Sequence, residues 1–221
     1  VANDVVVIFA MDREAAPFRK LAKRGRLPVR VLVAGMGLDA AKRAAEGVGD
    51  AALVISAGFC GALNPALKVG DVLTCALNGD AVAAPALRSE SPALPRNGRL
   101  LTVPHLVATP HEKRELRDRT AADVVDMEAA AVADVCASRG LSFLAVKAVS
   151  DTADTALSPR LVNLLAGGRV SPLKAAAAII VQPSILWEFQ RLARDTKRAA
   201  EQLAIALHAV VRSRPSVEPI A

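Results

Sequence analysis

Four carboxylates stand where chemistry could be done. Glu128, Asp151 and Asp154 frame the stretch from residue 126 to 154, DMEAAAVADVCASRGLSFLAVKAVSDTAD. Glu14 follows the β-branched run at residues 5–9. Carboxylates at such places can accept hydrogen bonds from hydroxyl groups, hold a proton for a leaving group, or take one from water. Each also has a plainer reading. An acid at the start of a helix is electrostatically favourable, which would account for Glu14, Asp126 and Glu128. Asp151 would cap the turn that follows it. The residue types alone leave both readings open.

The elements that must position these acids can be read from the pattern around them. Residues 129–137 are dense in helix formers, and Arg139-Gly140 closes that helix. Residues 143–149 are mostly apolar and suit a buried strand. This makes an α-to-β unit with acids at its edges, and in an open α/β sheet ligands bind beyond the carboxyl ends of strands. Residues 5–9 should form a central strand, with a helix over 15–24 and Glu14 at its first turn. Strands follow at 30–34 and 52–56. The first leads through Gly35-Met36-Gly37 into a helix over 40–46, and glycines between strand and helix let backbone amides approach a ligand. The glycines of residues 57–63 read as a close turn, and Gly70-Asp71 begins a strand through Leu77. Residues 78–98 are rich in Pro, Ser and Ala and read as a long surface loop, with a short strand at 100–103. Thr109-Pro110 is an N-cap with Pro at the first helical position, for a helix to about Arg119. His105 and His111 lack metal-site spacing and are assigned to loop and cap. A final helix over 184–212 would bury Ile185, Phe189, Leu192, Leu203 and Leu207. It would present Arg191, Arg194, Lys197 and Arg198 outward, as a solvated face or as a contact with a membrane surface or a subunit.

Asp126-Met127-Glu128 with Ala130, and Ser150-Asp151 with Ala153-Asp154, resemble the signature of the purine nucleoside phosphorylase and nucleosidase superfamily. Leu67-Lys68-Val69-Gly70-Asp71 repeats another of its segments. The methylthioadenosine/S-adenosylhomocysteine nucleosidases are the nearest well-known branch. The resemblance implies a three-layer α/β/α fold around a mixed β-sheet, as one domain over 1–221. It implies that Asp151 protonates the leaving purine, that Glu14 activates water, and that Glu128 holds the ribose hydroxyls. It implies a substrate pocket that also draws on Met127, Met36, Phe59, Leu106, Val107 and Ser150. Two departures stand out: Asp12 replaces the first Glu of the family's Met-Glu-x-Glu, and Phe59 stands where a Ser is usual. The form Val-Asp-Met-Glu and the tail after Gln182-Pro183 are similar to the hopanoid-biosynthesis-associated phosphorylases, a group linked to removing adenine from adenosylhopane.

Cleaving a nucleoside C–N bond asks for an acid at the base, a carboxylate near the oxocarbenium-like sugar and a nucleophile on the far face. No metal or organic cofactor is expected. Water is the expected nucleophile and phosphate the alternative co-substrate. A phosphate dianion needs cationic groups, and Val54-Ile55-Ser56-Ala57 stands where the superfamily's phosphorylases carry an arginine. The rival readings are an ordinary methylthioadenosine/S-adenosylhomocysteine nucleosidase and a non-catalytic nucleoside-binding relative.

At 221 residues with 52% hydrophobic content, the chain suits one globular α/β domain. Aromatics are only 3%, so alanine and leucine must fill much of the core, and base-stacking platforms are scarce. The net charge of +6 is spread along the chain, which argues against nucleic acid. Cys60, Cys75 and Cys136 form no metal or redox motif and read as buried thiols. No segment has a secretory layout or an apolar run of about 18 residues. The expectation is a cytoplasmic homodimer acting on a small adenine nucleoside, with a peripheral membrane contact through the basic last helix as an option.

Overall fold

One strand, β3 (Leu53–Ala62), holds the sheet together. Its first half runs parallel to β1 (Val5–Phe9), and β2 (Val29–Val33) lies beyond β1. Its other edge runs parallel to β7 (Phe143–Asp151) along almost the whole strand. Its far end bonds antiparallel to β6 (Val124–Asp126). From β6 the sheet continues through β5 (Arg96–Thr102) and β4 (Val72–Leu77), and β4 returns antiparallel to β7. The seven strands therefore form a mixed sheet that closes on itself through β3, β6, β5, β4 and β7. The computed structural model describes residues 4–77, 95–159 and 185–213.

Helices cover both faces, as an α/β sheet with buried strands requires. On one side lie α1 (Asp12–Arg24) and the long α5 (Ile185–Arg212). Phe18, Ala199, Leu203 and Leu207 join Val5, Val7, Ile55 and Val146 in that layer. On the other side α2 (Leu38–Glu46) and α4 (Ala129–Ser138) cover Val6, Ile8, Val54 and Ala145. A smaller cluster of Leu63, Val107, Leu116, Ala122 and Val125 sits under α3 (Pro110–Thr120). Alternate residues of β1 and β7 feed the two large layers, so the period-2 rule is visible in the core. Small side chains do fill much of it: Ala15, Ala45, Ala62, Ala129, Ala145, Ala148 and Ala199 are each at most 1% exposed.

Several local expectations hold. Residues 5–9 are the first strand, and every one is buried. Thr109 caps α3 by accepting from the Glu112 amide at 3.2 Å. The three cysteines are free and buried; desolvation raises all three thiols, Cys75 to about 12. Others need correction. The glycines of 57–63 are not a turn: β3 runs straight through them to Ala62. The strand expected from Leu100 begins at Arg96, because Gly98 lies against Leu73, and a Cβ there would stand 2.4 Å from Leu73 Cδ2. On α5, Leu203 and Leu207 are buried, but Phe189 and Leu192 are only half-buried. Arg194, Lys197 and Arg198 are exposed, whereas Arg191 donates to the Ala156 carbonyl at 3.1 Å. Residues 78–94, the side chain of Ile185 and the alanine-rich segment 172–181 lie outside the described residues. No helix among the described residues is long and apolar enough to cross a membrane.

Candidate active site

At the carboxyl end of β1, against the middle of β3, the structure gathers charge that the apolar strands would otherwise exclude. Glu14 sits in the first turn of α1, directly after β1, and is only 2% exposed. One carboxylate oxygen accepts the Met11 amide at 2.8 Å and the other the Phe59 amide at 2.9 Å. The second bond requires β3 to come close. Gly58 permits this, since a Cβ there would stand 3.2 Å from Glu14 Oε1. Burial pushes the Glu14 carboxyl up to about 7, against the two amides and Lys147.

Glu128 is the N-cap residue of α4. Its carboxylate accepts the Gly37 amide at 2.8 Å, across 91 residues of sequence. Gly37 has φ +89°, a conformation that favours glycine, so the loop after β2 can aim its amide at this acid. Burial raises the Glu128 carboxyl above its ordinary value, with Lys147 opposing. Glu14, Glu128, Lys147, Ser56, Gly58 and Val132 line one small cavity.

Lys147 is the residue that the sequence reading missed. It lies in β7 and is 2% exposed. Its ammonium donates to Ser56 Oγ at 3.1 Å and pairs with Asp126 at 2.8 Å. Burial works against that charge, but Asp126 and Glu128 hold the proton more tightly than usual. Asp126 is satisfied in turn: it accepts from Thr102 Oγ1 at 2.6 Å and from the Ala129 amide at 3.0 Å. The plain reading of Asp126, an acid at a helix start, therefore holds, with a buried ion pair added. The signal was present in LAVKAVSD, where one lysine interrupts an apolar run. Lysines are almost never fully buried unless paired.

Asp151 stands apart from this cavity and is not among its lining residues. Val149 pairs with Cys60, but Asp151 pairs with Gly61, so Ser150 is an extra residue in the ladder. Such a bulge re-aims the side chains that follow. Lys147 and Val149 keep their alternation, while Asp151 turns toward Gly61, Val125 and α3. There Asp151 Oδ1 accepts from Ser150 Oγ at 2.9 Å, and Oδ2 pairs with Lys113 at 2.5 Å. Ser150 Oγ also lies 3.3 Å from the Cys60 carbonyl. Asp154 is exposed and joins neither group.

The remaining expected pocket residues scatter around these two groups. Met127 is half-buried between Asp126 and Glu128. Met36 is half-buried in the Gly35–Gly37 loop. The Phe59 ring leans on the core layer under α1 and α5, with the Arg13 guanidinium 6.0 Å from its centroid; it is the Phe59 amide that reaches Glu14. Leu106 is 37% exposed, whereas the Val107 side chain is buried in the small core under α3. His105, in the loop before α3, meets Glu112 as a loop residue, whereas His111 lies within the first turn of α3 and meets Glu115 along the helix, the cap being Thr109.

Comparison with known proteins agrees with this architecture. Residues 73–165 match the Phosphorylase superfamily. No curated protein matches the chain. Among solved structures, futalosine hydrolase of Helicobacter pylori superposes with a TM-score of 0.67 at 16% identity, over 96% of this chain and 99% of that one. The 5′-methylthioadenosine/S-adenosylhomocysteine nucleosidase of Neisseria meningitidis, bound to methylthio-immucillin-A, gives 0.67 at 21% identity over 96% and 100%. The enzyme of that name from Colwellia psychrerythraea, in complex with adenine, gives 0.66 at 16% identity over 96% of each chain. At such identities the likeness is one of fold. Residues 73–165 are thus similar in sequence to the Phosphorylase superfamily, and the fold over nearly the whole chain is similar to that of these solved structures.

Proposed function

We propose that this protein hydrolyses the N-glycosidic bond of an adenine nucleoside and releases adenine. One observation carries the reading. Glu14 is a buried carboxylate, fixed by two amides and held near pH 7, beside a second acid in a cavity at the strand ends. A base poised near neutrality can take a proton from water and still be ionised often enough to do so. Glu128 would accept from the ribose hydroxyls as positive charge develops on the sugar. Asp151, at the end of β7, would serve the departing purine. The names of the solved relatives, nucleosidases and a hydrolase, support the same class.

Water suits the cavity better than phosphate. Its one lysine is already matched by Asp126, and Glu14 and Glu128 add further acidity. A dianion would find no unmatched cation among the lining residues. We take the 5′ substituent to be large and apolar, as in adenosylhopane. Met36 and Phe59 are half-buried, and Leu106 is exposed beside the α3 end of the site. Trp187, 74% exposed near the start of α5, together with the basic face of that helix, would suit a peripheral contact with anionic membrane. We take the working unit to be a homodimer, on the resemblance alone.

The test is adenine release from a panel of adenosines, with and without phosphate. The panel runs from methylthioadenosine to long-chain apolar 5′ derivatives. Phosphate-independent release, faster for the long-chain members, is the expected result. Strict phosphate dependence with a ribose 1-phosphate-type product would make the protein a phosphorylase. A marked preference for methylthioadenosine would return it to the ordinary nucleosidases. No release from any member would remove the enzymatic reading.

A further inference from the structure

Lys113 has no part in the reading above, yet it is one of the most buried side chains in the protein, at 0% exposure. It lies on α3, where Arg114 and Arg119 are exposed and Arg117 reaches Ala122 and Asp123 past the helix end. Its ammonium reaches three oxygens: Asp151 Oδ2 at 2.5 Å, the Thr152 carbonyl at 2.7 Å and the Thr155 carbonyl at 3.3 Å. An ammonium has three protons to donate, so the group is spent on the residues that follow β7. Burying a lysine for structure alone is an expensive choice where an apolar side chain would pack as well.

We propose that Lys113 is the positioning residue for Asp151. The inference rests on Asp151 acting at the purine side. The bulge at Ser150 turns Asp151 out of the strand's alternation, and Lys113 receives it there. Ser150 Oγ holds the other carboxylate oxygen, so both are oriented before any substrate arrives. The two carbonyl contacts bind the 152–155 turn to the same ammonium, which fixes the backbone from which Asp151 projects. Gly61 leaves room for this geometry, since a Cβ there would stand 3.2 Å from Asp151 Oδ2. Orientation of this kind acts on turnover more than on binding, because the carboxylate must be aligned to accept a hydrogen bond from the purine as it takes up a proton and leaves.

The test is a double-mutant cycle on adenine release, with 5′-methylthioadenosine as probe, using wild type, Lys113→Met, Asp151→Asn and the pair. Lys113→Met should lower kcat about tenfold or more and leave KM within about threefold. In the Asp151→Asn background the same change should add less than about threefold, because the residue it positions is already gone. Losses that multiply, or an unchanged kcat for Lys113→Met, would overturn the proposal. If Lys113→Met does not fold, the pair still decides, since it leaves no unmatched charge. Equality with Asp151→Asn supports positioning, and a further tenfold fall, or failure of the pair to fold, assigns Lys113 to the fold instead. An inactive wild type would count against the nucleosidase reading rather than against this coupling.

Discussion

Glu14 and Asp151 are both acids at strand ends, but their surroundings are opposite. Around Glu14 the partners are backbone amides, a second carboxylate and a lysine already engaged by Asp126. Negative charge is in excess there, and burial makes the proton hard to remove. Around Asp151 one ammonium faces one carboxylate, with a hydroxyl and two carbonyls completing the set. Charge is balanced there and orientation is fixed. The contrast teaches that the same side chain is given different work by its neighbours: one site stores affinity for a proton, the other stores geometry.

The sharpest way to break the contrast is to remove Lys147. Lys147→Met leaves Asp126 buried without its cation, and removing one member of a buried pair costs about 4 kcal/mol. Denaturant unfolding should show that loss, and adding Asp126→Asn should recover much of it. An unchanged midpoint for the single variant would mean that the Glu14 end does not depend on this charge.

The next test is pH. The Glu14 carboxyl titrates at about 7 in the folded chain, against an ordinary 4.5. Below pH 4.5 it is protonated whether the chain is folded or not, and its contribution to stability is whole. Between 4.5 and about 7 the unfolded chain gives up the proton first, so stability falls, by about 3 kcal/mol in all. Glu14→Gln should remove that share. The difference between the two stability–pH curves should slope over this window and level off above it. A flat difference would contradict the description of Glu14 as the proton-holding acid.

In activity, Glu14→Gln should lower adenine release about 10²-fold, as loss of a general base does. A smaller effect is expected from Gly58→Ala. The added methyl group stands 3.2–3.4 Å from the Glu14 carboxylate and must displace it by a few tenths of an ångström. About tenfold in kcat, beyond the stability lost because Gly58 has φ +159°, would show that the acid's placement matters as well as its proton. Equal activity for Gly58→Ala and wild type would assign orientation to the Asp151 end alone.

The parts of this arrangement that are local were legible in the sequence. Residues 5–9, the Thr109-Pro110 cap and the alanine-rich α4 announce themselves by composition and spacing, and Glu14 and Glu128 fall at helix starts where the pattern put them. What could not be read was non-local. The Gly37 amide meets Glu128 across 91 residues, and Lys113 meets Asp151 across 38. No periodicity encodes a pairing of that kind. The glycines of β3 misled for a related reason: they are small so that two carboxylates can approach the strand, and this is invisible until the carboxylates are placed. The bulge at Ser150 likewise follows from two strands meeting in unequal register.

The closure of the sheet through β7 has a consequence for how the molecule forms. β7 is the strand that bonds both β3 and β4, and its paired residues lie 70 to 90 positions away in the chain. Contacts of such long range form slowly, because the intervening chain must be ordered first. Glu14 reaches its place with α1 and β1, but its Phe59 partner needs β3 aligned, and Lys147 and Asp151 arrive only when β7 docks. Both halves of the site would then appear together, in the last cooperative step. Amide hydrogens of β3 and β7 should therefore gain protection in the same kinetic phase in which the site, on the proposed function, becomes able to bind adenine.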